Sequence, residues 1–85
     1  MRFPFNQHLF SQRLRSIRDE MGLTQAALAY EAGIGGSQVS NFELGKAEPT
    51  ASTLCKLSVR LGVSTDYLCG LSDNRGCVEE ACHES

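Results

Sequence analysis

The spacing of apolar residues predicts a chain made of short helices. From Leu9 or Phe10 to Met21, apolar side chains recur at steps of three and four residues, which is the period of one buried helical face. Shorter stretches with the same period follow, separated by turn-forming residues. The predicted helices cover residues 9–21, 25–32, 35–44, 51–61 and 65–69. We therefore expect an all-α fold, a compact five-helix bundle.

Capping signals mark where the second of these helices begins and ends. The Thr24 hydroxyl can accept a hydrogen bond from the first turn, and Leu23 and Leu28 flank it at hydrophobic-staple spacing. Gly33 follows the helix and, lacking a side chain, can take the positive φ that ends it. Ala27 stands where a glutamate would complete a capping box, so this helix start is weaker than it could be.

The stretch over residues 24–45 combines the features of two helices that cross closely. Counted from the first helical residue, the fifth position is small, the ninth is a glycine, and the fifteenth and eighteenth are apolar. These positions are Ala29, Gly33, Val39 and Phe42. A small residue at the crossing, a glycine at the turn and apolar anchors in the second helix are what a helix-turn-helix needs.

This stretch resembles the helix-turn-helix of the phage repressor and Cro family, the XRE type. The match continues after the second helix, in Glu43, Gly45, Lys46 and Pro49. The words LGVSTDYL and GLSDN are also similar to the end of phage-repressor-type DNA-binding domains. The resemblance implies a lambda-repressor-like fold in which the second and third helices form the helix-turn-helix.

The resemblance also implies a set of DNA contacts. The family reads bases with exposed residues of the motif's second helix and contacts phosphates with residues beside it. The matching positions in this chain are Gln25, Gly36, Ser37, Gln38, Ser40, Asn41 and Lys46. Asn41 is the expected reader of adenine, and Lys46 is an expected phosphate contact. Gln25 would bind a phosphate at a helix N-terminus, and the alternative is an ordinary helix-forming surface residue.

Several positions on the predicted reading surface depart from the family's usual residues. Gly35 and Gly36 carry no side chain for base recognition and weaken a helix start. Their backbone N–H groups could approach DNA closely, or recognition could depend partly on DNA shape. Leu44 stands where a polar or basic residue is frequent. Gln38 could fold back as a cap partner instead of reading bases.

Arg18 and Glu43 match two positions that form an ion pair in the family. The pair joins the first helix to the end of the recognition helix. The resemblance therefore implies a structural ion pair, and the alternative is a direct DNA contact by Arg18. Removing one partner of a buried pair would leave the other charge without compensation.

The sequence divides into an N-terminal arm over residues 1–8, a helix-turn-helix domain over residues 9–71 and a short acidic C-terminal tail over residues 72–85. Phe3 and Phe5 alternate with polar neighbours in the arm. Either these aromatic rings rest on the body of the domain, or the arm takes part in a dimer contact.

The last predicted helix carries the candidates for a dimer interface. In domains of the resembling family, the fifth helix and the residues after it often form a two-fold contact. The candidates here are Leu61, Tyr67 and Leu71, with Phe3 as a further one. The alternative is that all of them belong to the core.

Composition permits nucleic-acid binding without requiring it. The chain has 85 residues, a formal net charge of −2 and 41% hydrophobic residues, which suits one small domain. Residues 1–60 contain seven Lys and Arg against five Asp and Glu, and the remaining residues contain one Arg against five acids. No membrane-spanning run or signal-peptide core is visible, so we expect a cytoplasmic protein without membrane contact.

The four cysteines do not form a recognisable metal motif. Cys55 falls in a helical pattern and is expected at the core or its boundary. Cys69, Cys77, Cys82 and His83 offer four zinc-type ligands, but a CxxC pair is missing and tail disulfides formed during purification are the favoured alternative. We therefore predict no metal and no cofactor.

The sequence contains no assembly of catalytic residues, so we do not expect an enzyme. The leading hypothesis is a sequence-specific DNA-binding transcriptional regulator, by default a repressor, that acts as a homodimer on a near-palindromic operator in double-stranded DNA. The alternatives are a protein-interaction module, such as an antitoxin or anti-repressor-like protein with a protein partner, and a restriction–modification controller protein.

Overall fold

The computed structural model describes residues 5–76, and every regular element in that range is a helix. The helices are α1 (Gln7–Glu20), α2 (Gln25–Ala32), α3 (Gly36–Glu43), α4 (Ala51–Leu61) and α5 (Thr65–Cys69). The predicted all-α fold of five helices is confirmed, and none of these helices is long and apolar enough to cross a membrane. The expectations for Phe3, Cys77, Cys82 and His83 lie outside the described residues.

Helix α1 begins earlier than the apolar period indicated, because Asn6 caps it. The Asn6 side-chain oxygen accepts a hydrogen bond from the Leu9 N–H at 3.1 Å. The backbone N–H of Asn6 donates to the Cys69 carbonyl at 2.9 Å, which fixes the entry of the chain against the end of α5. Residues 7 and 8, assigned to the arm from the sequence, therefore form the first turn of α1.

Three other helices also begin with a side-chain cap, and the one at Thr24 confirms the prediction from the sequence. Thr24, Thr50 and Ser64 each precede a helix, and each side chain accepts a bond from the backbone N–H three residues later. These bonds satisfy donors that the first turn of a helix leaves without an intrahelical partner. Gly33 ends α2 with a φ of 74°, a conformation that a residue with a side chain rarely adopts.

One hydrophobic core joins all five helices. Its buried members are Phe10, Leu14, Ile17, Leu28, Ala29, Ala32, Val39, Phe42, Leu57, Leu61, Val63 and Leu68. The rings of Phe10 and Phe42 meet edge to face with centroids 5.6 Å apart, which connects α1 to α3. The Phe5 ring lies 5.3 Å from Phe10 and rests on the body of the domain.

Three residues lie elsewhere than expected, and one of them is Cys55, which was expected at the core or its boundary and is exposed on α4. Leu61 was a candidate for a dimer surface, but only 6% of it is exposed because it faces the core from the last turn of α4. Met21 was expected in the core, and it is 41% exposed because α1 ends at Glu20. Both core and interface positions are apolar, so the pattern alone did not separate them.

Arg13 of α1 attaches the end of α5 to the body of the domain. Its guanidinium donates to the backbone carbonyls of Tyr67 at 2.6 Å and Ser72 at 2.8 Å. A further bond of 2.8 Å reaches the carboxylate of Asp73, and the guanidinium also stacks over the Tyr67 ring at 4.1 Å from its centroid. Arg13 therefore binds one carbonyl of α5 and one of the segment that follows it, and holds both against α1.

Arg75 makes a second attachment between the same segment and α1. Its guanidinium donates two bonds to the Glu20 carboxylate, at 3.0 and 2.7 Å. The backbone carbonyl of Arg75 accepts a bond from the Ser64 N–H at 2.6 Å. The hydrogen bond from Arg75 lowers the pKa of Glu20 below its ordinary value. Residues 71–76 thus pack as part of the folded domain.

Candidate nucleic-acid interface

Helices α2 and α3 pack against each other as the predicted helix-turn-helix. The turn between them is closed by a bond of 2.9 Å from the Ile34 N–H to the Ala29 carbonyl. Ala29 is buried at the crossing, and Val39 and Phe42 anchor α3 in the core. With its inner face fixed in this way, α3 presents its opposite face to solvent.

An ion pair fixes the C-terminal end of α3 against α1. Arg18 Nε donates to Glu43 Oε2 at 2.6 Å, and Arg18 Nη2 donates to Glu43 Oε1 at 3.1 Å. The side chains are 12% and 5% exposed, so the pair is largely removed from solvent. The hydrogen bond to Glu43 raises the pKa of Arg18, and Arg18 also donates to the Leu23 carbonyl at 2.7 Å. The geometry is that of a structural ion pair.

Gln25 takes part in this cluster, which the sequence did not indicate. Its side-chain Nε2 donates to Glu43 Oε1 at 2.9 Å. A glutamine amide has two donor hydrogens, and one of them is used here. The residue is the first of α2 and its backbone N–H has no partner within the helix. The predicted phosphate contact of Gln25 remains a prediction for its second amide hydrogen and its backbone N–H.

The outward face of α3 carries the predicted base-reading residues. Gly36, Ser37 and Gln38 are exposed in its first turn, and Ser40 and Asn41 are half-buried one turn later. Leu44 follows directly after α3 and is 64% exposed, so an apolar side chain lies at the end of this polar face.

The first turn of α3 has no side-chain cap. Gly35 is the N-cap residue and offers no side chain to the free N–H groups. The Gln38 backbone N–H bonds to the Gly35 carbonyl at 3.1 Å, and within residues 5–76 no side-chain cap bond comes from Gln38. A Cβ added at Gly36 would meet nothing within 4 Å. The outer edge of this turn is therefore open.

Lys46 lies in the loop after α3, with its backbone fixed and its side chain exposed. Its N–H donates to the Asn41 carbonyl at 2.9 Å. Gly45, just before it, has a φ of 76° and makes this tight turn possible. The loop therefore fixes the backbone position of this cation next to the C-terminal end of α3.

Charge pairing separates the described basic residues into two groups. Four arginines form ion pairs with carboxylates, and they are Arg13, Arg18, Arg60 and Arg75. Three residues between 5 and 76 have no carboxylate partner, and they are Arg15, Lys46 and Lys56. Only unpaired cations are ready to bind an anion without breaking an existing contact.

The remaining candidates have different surroundings. The Tyr67 ring is half-buried beneath the guanidinium groups of Arg13 and Arg75, whereas Leu71 is 49% exposed just after α5. Burial, with a smaller effect from Asp66, raises the pKa of the Cys69 thiol. The described part of the chain contains no group of three potential metal ligands.

Comparison with known proteins identifies helix-turn-helix proteins as the relatives of this chain. The sequence profile of the helix-turn-helix family HTH_3 matches residues 14–68. YonR of Bacillus subtilis strain 168, an uncharacterised HTH-type transcriptional regulator derived from the SPbeta prophage, is 45% identical over 60 residues, which is 71% of this chain and 56% of YonR. The chain spans about half the length of the curated relatives it matches.

Two solved structures share the fold. The P22 c2 repressor in complex with a synthetic operator has a TM-score of 0.68 and 35% identity, over 71% of this chain and 91% of the repressor chain. The restriction–modification controller protein C.AhdI of Aeromonas hydrophila also has a TM-score of 0.68, with 32% identity over 73% of this chain and 94% of C.AhdI. Both similarities extend beyond the helix-turn-helix into the surrounding helices.

Proposed function

Because this chain belongs to the helix-turn-helix family HTH_3, we propose that it is a sequence-specific DNA-binding transcriptional regulator that acts as a repressor. Helix α3 would enter the major groove of double-stranded DNA, with Ser37 and Asn41 as the main base readers. Gln25 and Lys46 would contact phosphates and set the position of α3. This proposal includes action in the cytoplasm and no catalytic activity.

The observation that carries the proposal is the contrast between the two faces of α3. Its inner face is fixed by Val39, Phe42 and the Arg18–Glu43 pair, while its outer face is polar and open to solvent. A rigid helix with an open polar face suits readout of base edges, because recognition needs a fixed position more than it needs flexibility.

Selection from a randomised duplex library tests the DNA-binding proposal. We expect enrichment of one near-palindromic sequence, and binding that weakens steeply as salt rises. The Asn41→Ala variant should lose the preference at one base position, by about 1–3 kcal/mol. The Lys46→Gln variant should weaken all sequences alike. Selection that enriches no sequence, while the chain binds another protein, would reject the repressor proposal.

The active form is proposed to be a homodimer. Leu71 supports this proposal, because it is a large exposed apolar residue immediately after α5 and its backbone is anchored to Asp66 by a bond of 2.9 Å. Arg13 and Arg75 attach the neighbouring residues to α1, so the surface around Leu71 is fixed before any partner arrives. Two copies would then reach half-sites about 34 Å apart.

Two matched variants test the dimer. Leu71→Asp should give a monomer by light scattering at concentrations where the unchanged chain is a dimer. Val59→Asp is the control, because Val59 is exposed to a similar degree, 54%, on α4. This interface would be contradicted if the protein without substitutions bound a full operator as a monomer. It would also be contradicted if the Leu71→Asp variant remained dimeric.

A controller protein of a restriction–modification operon is the second candidate. The similarity to C.AhdI favours it, since it covers nearly all of that chain. Such a protein would use the same DNA-binding surface, so the selected sequence distinguishes the candidates. A motif upstream of genes for a nuclease and a methyltransferase would favour the controller, and a motif upstream of phage genes would favour the repressor.

A further inference from the structure

One stripe of α1 follows α3 and the loop after it. Gln7 Nε2 donates to the Ala47 carbonyl at 3.1 Å, and the Ser11 hydroxyl donates to the Phe42 carbonyl at 2.6 Å. Further along the same stripe, Arg18 binds Glu43. Residues at steps of three and four lie on one helical face, so the direction of this stripe is set by three contacts with α3 or its loop.

Arg15 belongs to the same stripe but has no such contact. It lies four residues after Ser11 and three before Arg18, it is exposed, and no carboxylate within the described residues pairs with it. A guanidinium has five donors and keeps its charge at any physiological pH. Ser11 and Arg18, the residues before and after it on the stripe, already contact α3. Arg15 is therefore the member of the stripe that can bind an anion from outside.

The surroundings of Arg15 connect it to the proposed DNA-binding surface. Arg15 lines an open groove of about 710 Å³ together with Leu44 and Gly45, the residues that lead from α3 to Lys46. The groove also contains the carboxylates of Asp19 and Glu43, but both face Arg18, at 3.5 and 2.6 Å. Among residues 5–76 their nearest cation is thus Arg18, and no ion pair in that range compensates the charge of Arg15.

We propose that Arg15 is a DNA phosphate contact made from α1, next to the contact expected of Lys46. This inference rests on the proposed DNA-binding function and extends the interface beyond the helix-turn-helix. Arg15 lines the α1 side of the groove, and Lys46 directly follows Gly45, which lines the α3 side. The sugar–phosphate backbone would then pass along Leu44 between two cations. An apolar Leu44 is compatible with that position, because backbone binding there no longer depends on its side chain.

The salt dependence of DNA binding tests the inference. The probe is a labelled mixed-sequence duplex of about 30 base pairs, measured by fluorescence anisotropy over about 0.05–0.3 M NaCl. The Arg15→Gln variant should reduce the slope of log K against log salt by about 0.9 for each bound subunit, which is about 1.8 for the proposed dimer. Near 0.1 M salt its affinity should fall roughly five- to tenfold for each bound subunit, because each subunit releases about one counterion fewer.

Two variants separate a phosphate contact from other effects. Lys56→Gln removes an equally unpaired cation on α4, outside this groove, and should leave the slope unchanged. Arg15→Lys keeps the charge and should keep the slope close to that of the unchanged chain. Arg15→Gln, Arg15→Lys and Lys56→Gln should all leave the melting temperature unchanged, since the substituted side chains lie at the surface.

The outcomes are distinct. An Arg15→Gln slope equal to that of the unchanged chain would overturn the inference while the DNA-binding function stands. Equal losses in Arg15→Gln and Lys56→Gln would also overturn it, because they would report total charge and not a contact. An unchanged chain that does not bind duplex DNA would overturn the proposed function and this inference with it.

Discussion

Two arginine–glutamate pairs attach α1 to the rest of the domain with nearly the same geometry and in different surroundings. Arg18 donates bonds of 2.6 and 3.1 Å to the Glu43 carboxylate, and Arg75 donates bonds of 2.7 and 3.0 Å to the Glu20 carboxylate. The Glu43 side chain is 5% exposed, whereas the Glu20 side chain is 51% exposed. The bonds within the two pairs are therefore alike, whereas their exposure to solvent differs, and the inner pair makes further bonds, to Gln25 and Leu23.

The distance between the charged groups alone therefore does not measure the importance of an ion pair. Water can solvate either partner of the outer pair when the other is removed, so little is lost. In the inner pair, the remaining charge would stay in a place that water reaches poorly. The helix-turn-helix thus depends on its pair more strongly than the segment after α5 depends on its own.

The largest expected effect comes from breaking the inner pair. Arg18→Met should lower the free energy of unfolding by about 3–5 kcal/mol, because it strands the buried Glu43 carboxylate, whose one other side-chain partner within residues 5–76 is Gln25. Urea denaturation followed by circular dichroism measures this loss. Since the free energy of unfolding of a native protein is about 5–15 kcal/mol in total, the variant should be close to unfolding.

A double variant shows whether the loss arises from the stranded charge. Arg18→Met combined with Glu43→Leu removes both charges and should recover most of the stability. If the double variant is as unstable as Arg18→Met alone, lost packing and not the uncompensated carboxylate is responsible, and the contrast between the two pairs would have another cause.

Arg13 provides an intermediate case. Arg13→Met should lower the free energy of unfolding by about 1.5–3 kcal/mol, because it removes charged donors from the carbonyls of Tyr67 and Ser72. Hydrogen exchange should show a local effect. The substitution should accelerate exchange at the amides of Leu71 and Ser72 more than at those of α3. Equal acceleration in both regions would contradict a local role for Arg13.

The smallest effect is expected at the outer pair, and it should depend on pH. Arg75 lowers the pKa of Glu20 below its ordinary value of 4.5, so the pair stabilises the fold fully above that value. The contribution disappears as the pH falls through the lowered pKa. The difference in melting temperature between the unchanged chain and Glu20→Gln should therefore be constant above about pH 5.5 and vanish in stronger acid.

High salt offers an independent check of the outer pair. In about 1 M NaCl the Debye length falls to roughly 3 Å, so the effect of Glu20→Gln should shrink while that of Arg18→Met persists. An effect of Glu20→Gln that is insensitive to both pH and salt would mean that the carboxylate acts through packing.

The sequence predicted those features that depend on local chemistry. Thr24 and Gly33 mark the ends of α2 because capping and positive φ require particular residue types close in sequence. The Arg18–Glu43 pair was predicted by resemblance to a known family, since nothing local joins residues 25 positions apart. The base-reading and phosphate-contacting roles stay predictions.

Other contacts could not be predicted because they join residues that are far apart in the sequence, and no periodic pattern relates the two partners. Arg13 and Arg75 reach partners more than 50 residues away, and several other carboxylates were equally plausible in the sequence. The bond from Gln25 to Glu43 also joins two separate helices, and nothing in the local sequence indicates it. Leu61 shows the opposite difficulty, because an apolar residue suits a core and an interface equally well.

The bare first turn of α3 has a consequence for how this protein could acquire new targets. Gly36 has an ordinary helical φ, and a side chain added there would enter empty space. Replacing a helical glycine also tends to stabilise the fold by about 0.4–1 kcal/mol. A single change such as Gly36→Gln could therefore add a base-reading side chain without a loss of stability. The position is an evolutionary entry point to new operators, and a natural first site for redesigning them.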